Sequence, residues 1–324
     1  ISSYLKKSIP KPYNLWFYIM KNKINNTELT PAGLKQIFQE RLDLSSTDLN
    51  KVAKSFSKLY NDYQADIVNR VTLQQVPNTT YTWIDPPDGR SDRVVLFFHG
   101  GGYTMGSTAD HMQLIASLVI LSSISILGVD YRLCPQHRFP APIDDAEAAY
   151  RWLMLQGYNS EAIGFSGISA GALIVTQLIY RCQNQGIQIP SVALVMSGPK
   201  DLDFDRPSCI YNSKYDIVVP ERLRNIRNYY LLEHNGTKSG ELYPARQQYE
   251  KYPKTLFQVG DCEVLLDDSI EFYRFLRQQG HPINLQIVPD MIHCGQIFSN
   301  IYPPGEKAIL SAAGFLQSSF SKDM

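Results

Sequence analysis

The sequence predicts an α/β protein in which a mostly parallel, twisted sheet carries helices on both faces and a helical cap covers the strand ends. Three observations predict it. Strand-like apolar runs alternate with helix-length stretches from about residue 80 onward, a rhythm that buries a parallel sheet between two helical layers. One connection, between Ser197 and Lys254, is far longer than a crossover requires. Finally, Gly167-Ile168-Ser169-Ala170-Gly171 stands where a strand-like run passes straight into a helix-like one, which forces a tight corner with an exposed side chain.

Taken in order, the first apolar periodicity is helical: Leu34, Ile37, Phe38 and Leu42, then Leu49, Val52, Phe56 and Leu59, with Pro31 and Thr47 where helix starts are expected. Strands follow near Tyr81 to Ile84, Val94 to Phe98, Ile124 to Val129, Ile163 to Phe165, Val192 to Met196, Thr255 to Val259 and Leu285 to Val288. Between them, helices are expected over His111 to Leu121, Asp144 to Leu155, Ala170 to Tyr180, Leu266 to Gln279 and Lys307 to Phe320. Within the long connection, Pro220 to Leu232 reads as a helix, and Asn235-Gly236 and Ser239-Gly240 are turn signals. The expected organisation is therefore a helical first part of the cap over residues 1–75, a core over 76–200, a cap insertion over 201–245, and the rest of the core over 246–324.

Composition narrows the partners. With 44% hydrophobic and 19% charged residues in 324, the chain can bury a large core and is not disordered. Its 31 basic and 31 acidic residues cancel, so no basic face is advertised for nucleic acid or anionic lipid. The apolar patch Leu15 to Met20 is too short to span a bilayer and no small-residue cleavage site follows it. Cys134, Cys182, Cys209, Cys262 and Cys294 are odd in number and lack C-x-x-C spacing, which argues against a zinc site or a disulfide framework and fits a reducing, cytoplasmic setting. Small, weakly charged molecules are the expected partners, with no nucleic acid and no integral membrane association.

The chemistry is read from three separated segments. At the G-x-S-x-G corner the Ser169 hydroxyl is held out at the carboxyl edge of a sheet, and the Ala170 amide opens a helix and is free to donate to a developing negative charge. Upstream, the buried run Val94 to Phe98 leads into His99-Gly100-Gly101-Gly102-Tyr103, a loop with no side chains to keep a substrate oxygen from its amides. A serine hydroxyl needs an imidazole to take its proton and an acid to fix the imidazole tautomer. In this fold class they follow the serine in the order acid, then histidine.

Of the later histidines, His234 falls in the insertion and His281 in what reads as a surface turn, whereas His293 follows the last strand at the carboxyl edge. The acid is expected in Gly260-Asp261-Cys262-Glu263, where Asp261 and Glu263 compete. Asp267 and Asp268 read as helix-capping residues.

These segments, with Asp130-Tyr-Arg-Leu-Cys-Pro135, Phe139-Pro-Ala141, Asp144-Asp145 and Gly260 to Asp268, together resemble the hormone-sensitive-lipase family of α/β-hydrolases from about residue 80 to the end. The resemblance implies the α/β-hydrolase fold and serine carboxylesterase or lipase chemistry with a small ester and water as reactants, without metal or cofactor. It places an oxyanion hole at the amides of Gly101, Gly102 and Ala170, and aligns the family's acid with Glu263, leaving Asp261 as second choice. Two positions depart from the family's pattern: Ile168 where Asp or Thr is common, and Cys134 where a small alanine is usual.

Tyr103, Met105, Met291 and Ile292, with Trp16, Phe17, Tyr215 and Val218 from the cap, are candidates to line a substrate pocket. Lactone or amide (formamide) hydrolysis on the same residues, or a non-catalytic small-ligand receptor of the same fold, are the alternatives, and a homodimer is compatible with the sequence. Cys262 adjoins Glu263 and Cys294 adjoins His293, so a meeting of acid and base would bring two thiol-bearing loops together.

Overall fold

A computed structural model of the chain describes residues 30–42, 46, 48–231 and 240–320. Helices α1 (Pro31–Arg41) and α2 (Leu49–Asp62) precede the sheet. Thr30 caps α1 by accepting the Gly33 amide at 3.1 Å, and Asp48 caps α2 by accepting the Asn50 amide at 2.9 Å. Thr47, the expected cap of α2, lies outside the described residues, as do Trp16, Phe17 and His234.

The strands are β1 (Thr72–Gln75), β2 (Tyr81–Asp85), β3 (Val94–Phe98), β4 (Ser125–Val129), β5 (Ile163–Ile168), β6 (Val192–Met196), β7 (Lys254–Gly260) and β8 (Ile283–Val288). Among the described residues they form one sheet in the order β1-β2-β4-β3-β5-β6-β7-β8. Only the pairs involving β2 are antiparallel; from β4 to β8 every neighbour runs parallel.

Strand residues alternate between the two faces, as a period of two dictates. On β3, Val94, Leu96 and Phe98 enter one core and Val95 and Phe97 the other. The first core is closed by α4 (Ala141–Leu155), α5 (Ala170–Asn184) and α8 (Leu266–Gln278). Helices α3 (Met112–Ser122) and α9 (Pro303–Phe320), with the apolar sides of α1 and α2, close the second. Five strands, β3 to β7, are buried along nearly their whole length, which is why they read in sequence as unbroken apolar runs.

Three sequence expectations are corrected here. Strand β1 was not anticipated: Thr72-Leu-Gln-Gln75 is exposed throughout and carries no apolar alternation, so only its pairing with β2 makes it a strand. His281 is buried between Tyr249 and Tyr252 rather than lying in a surface turn. Asp267 and Asp268 do not cap α8: they accept the amides of Ser208 at 2.8 Å and Lys200 at 3.1 Å, tying the insertion to the core.

The long connection contains α6 (Pro207–Tyr211) and α7 (Pro220–Leu231). Helix α7 sits over the strand ends: Tyr230 stacks on Tyr103 at 4.0 Å, its carbonyl accepts the Phe139 amide at 3.2 Å, and Ile226 lies where a side chain on Gly102 would have to go. From the other side, Lys35 of α1 donates to the Ser213 carbonyl at 2.7 Å, so the N-terminal helices and the insertion close over one spot.

Candidate active site

That spot is the carboxyl edge of the parallel strands, where β3, β5, β7 and β8 each release a loop. Ser169 follows β5 with φ 55 and ψ −120, a strained left-handed conformation for a residue with a Cβ. Its amide donates to the Met196 carbonyl at 3.0 Å, which pins the corner to the neighbouring strand. Gly171 makes the turn possible, since a Cβ there would stand 2.0 Å from the Phe98 carbonyl oxygen.

The loops meet at Ser169. Its hydroxyl lies 2.9 Å from His293 Nε2, and His293 Nδ1 lies 3.1 Å from Glu263 Oε2. A carboxylate can only accept, so Nδ1 carries the ring hydrogen and Nε2 presents a lone pair to the serine. The other Glu263 oxygen accepts the Gly260 amide at 2.6 Å and the Ser197 hydroxyl at 2.8 Å. Both oxygens are therefore occupied, and the carboxylate has one orientation. Asp261, the competing acid, is exposed, and its amide donates to Val288 O at 3.1 Å.

Charge follows burial. Burial lifts the Glu263 carboxyl above its usual range, while the imidazole and the Gly260 amide pull it back. For His293, burial opposes protonation, but Cys294 and the Glu263 carboxylate outweigh it and hold the ring well above its ordinary value. Burial also raises the Cys294 thiol, while the imidazole beside it lowers it.

Sequence reasoning missed four contributors. Asp216, buried in the insertion, accepts the amides of His293 at 2.9 Å, Val264 at 2.8 Å and Ile217 at 2.7 Å. Ser197, with φ 49, bridges Glu263 and the Cys294 amide. His111 accepts the Gly100 amide at 3.2 Å, and its pKa is depressed to about 3 by burial and by His99, which keeps the ring neutral and the glycine loop in place. Arg222 of α7 reaches the cavity beside the serine. Only Ser197, next to a strand end, carried any positional signal; the others depend on contacts between remote segments.

Among the described residues, the amides of Gly101, Gly102 and Ala170 have no hydrogen-bond acceptor within the protein. Gly101 and Gly102 line, with Ser169 and His293, a cavity of about 80 Å³ closed by Phe38, Phe56 and Ile226. An open groove of about 540 Å³ beside α2 is larger, but contains none of Ser169, Glu263 or His293.

Of the expected pocket residues, Met105 and Val218 line the cavity. Tyr103, Met291 and Ile292 do not: Tyr103 is stacked under Tyr230 in the core, and Met291 and Ile292 are buried beneath the histidine loop. Apolar side chains beside a functional loop are drawn inward by the same burial that makes them pocket candidates. Tyr215 is exposed, with the Lys214 ammonium over its ring. Ile168 and Cys134 are core residues. All five thiols are free, with Cys294 beside His293 and Cys262 paired with Asp261.

Residues 95–297 match the family model described as the alpha/beta hydrolase fold. The chain belongs to this family. The hydrolase is 31% identical to an acetyl-hydrolase of Streptomyces hygroscopicus over 75% of this chain and 81% of the relative. It is 30% identical to an esterase of Acinetobacter venetianus over 70% and 75%. A crystal structure of an esterase from the bacterial hormone-sensitive lipase family superposes with a TM-score of 0.85 at 28% identity, covering 92% of the hydrolase and all of that chain (100%). The hydrolase is of this hormone-sensitive-lipase type. Among its described residues, no helix is long and apolar enough to cross a membrane, and no group of three or more His, Cys, Asp or Glu side chains is placed to hold a metal ion.

Proposed function

We propose that the hydrolase cleaves small carboxylic esters through an acyl-enzyme on Ser169. Carboxylic ester hydrolysis is the activity of the enzyme; the residues and the covalent step are the proposal. His293 Nε2 takes the Ser169 proton as the oxygen attacks the ester carbonyl, and Glu263 steadies the imidazolium through Nδ1. The amides of Gly101, Gly102 and Ala170 receive the negative charge on the carbonyl oxygen, each such donor being worth about 3–4 kcal/mol. His293 then protonates the departing alcohol. Water, deprotonated by the same nitrogen, attacks the acyl-enzyme and frees the acid.

The 2.9 Å contact between Ser169 Oγ and His293 Nε2 carries this reading. The cavity of about 80 Å³ is well below the roughly 300–1,000 Å³ of drug-sized sites, which favours short acyl groups. Helices α1 and α2, together with residues 201–231 and 240–245, act as the cap that keeps bulk water from the site.

A panel of p-nitrophenyl esters of increasing chain length, with wild type and Ser169→Ala, tests the reading. Turnover that peaks at short chains and disappears in the folded Ser169→Ala protein is expected; comparable turnover in that variant would refute it.

A further inference from the structure

Arg222 lies in the first turn of α7 and lines the cavity that holds Ser169, Gly101, Gly102 and His293. Its neighbours there are Phe38, Phe56, Tyr60 and Ile226, none of which offers a charge. Among the described residues, the polar contact of its guanidinium is with the Met105 sulfur, 3.6 Å from Nη2. Among the described residues, no carboxylate forms an ion pair with it. Other arginines of the cap and core differ: Arg181 is held by Asp144, Glu147 and Glu241, and Arg246 by Asp201 and Asp203. Burial lowers the Arg222 pKa, and only the phenols of Tyr60 and Tyr229 offset it.

A partly buried guanidinium with no carboxylate partner among the described residues is costly in a free protein. The cost is relieved when a ligand supplies the anion. Arginine presents a planar fork of donors that fits a carboxylate in two parallel hydrogen bonds, and a single positive charge matches a carboxylate better than a phosphate dianion.

We propose that the substrate carries a carboxylate a few bonds from its ester, and that Arg222 binds this carboxylate while Ser169 attacks the ester. This rests on the reading of Ser169 as nucleophile. The small cavity limits the spacer, so hemiesters of short dicarboxylic acids and short hydroxy acids acylated on the hydroxyl, each with a free carboxylate, are the class that fits. Arg222 then acts as the specificity residue: it selects a charged substrate that the apolar walls alone would reject.

The test compares monomethyl succinate with methyl succinamate, which share shape and differ in charge, using wild type, Arg222→Lys and Arg222→Met at pH 8. Wild type is expected to show a kcat/KM for the anionic ester at least about tenfold above the amide-bearing one, the effect of one charge-assisted contact. That ratio is expected to collapse in Arg222→Met and to be partly kept in Arg222→Lys. Wild type turning over the neutral ester equally well or better would overturn the proposal without need of any variant. So would an unchanged ratio in Arg222→Met. Failure of the Ser169 reading has a different signature: both esters would be cleaved as fast by Ser169→Ala as by wild type.

Discussion

Asp216 Oδ1 accepts the backbone amide of His293 at 2.9 Å, across 77 residues of chain. Its second oxygen accepts the Val264 amide, one residue after Glu263. A single buried carboxylate of the insertion thus holds both the loop that carries Glu263 and the loop that carries His293. Removing it leaves buried amides unpaired and lets the two loops drift. Asp216→Ala is expected to lower kcat by about ten- to a hundredfold with little change in KM, and stability by about 2–4 kcal/mol. Steady-state kinetics and urea denaturation check both; an unchanged kcat would show that the loops hold their geometry alone.

The pH profile follows from the same contacts. On the proposed mechanism His293 must be neutral to accept the serine proton, and Cys294 together with the Glu263 carboxylate raises its pKa. Activity is therefore expected to be lost on acidification through a limb above the ordinary histidine range. In Glu263→Gln the negative charge is gone, so the limb moves to lower pH, while kcat falls by about two to four orders of magnitude. A kcat/KM profile from pH 5 to pH 10 reads both; a limb that stays in place would remove Glu263 from the account.

The glycine loop gives a steric prediction. Gly101 has φ +115, and a Cβ there would stand 2.1 Å from the Met105 carbonyl oxygen. Gly101→Ala must displace the loop and with it the amides proposed to receive the charge on the carbonyl oxygen. A loss of about a hundredfold in kcat/KM is expected, alongside a stability loss of about 1–3 kcal/mol, read by kinetics and thermal unfolding. Wild-type kinetics in this variant would exclude the loop from oxyanion binding.

Asp268 contributes to stability with a definite sign. Burial raises its pKa from 3.8 to about 7, so its contribution is complete below the unfolded value and is lost as pH rises through the folded one. Asp268→Asn keeps an acceptor for the Lys200 amide and cannot ionise. At pH 8 it is expected to be more stable than wild type by about 1–3 kcal/mol, with the difference closing near pH 4. Denaturant curves at the two pH values check this; a variant less stable at pH 8 would contradict it.

Much of this was legible in the sequence because burial on both faces writes itself as uninterrupted apolar runs. Val94 to Phe98 and Val192 to Met196 were visible for that reason, and the corner at Ser169 because only small neighbours permit it. Thr72 to Gln75 was invisible: an exposed edge strand is defined by its partner, not by its own pattern. Tyr103 and Met291 misled because apolar residues near a site are as readily packed beneath it as against a ligand. Asp216 and Arg222 left no local trace, since one acts through amides remote in sequence and the other through a cavity formed when the insertion folds back over β3 and β5.

In the proposed mechanism Ser169, activated by His293, becomes acylated. The most direct measurement is stoichiometric labelling with a fluorophosphonate followed by peptide mapping. One adduct per chain on Ser169, with esterase activity lost in step with labelling, is the predicted result; a label elsewhere, or full activity in labelled protein, would contradict the account.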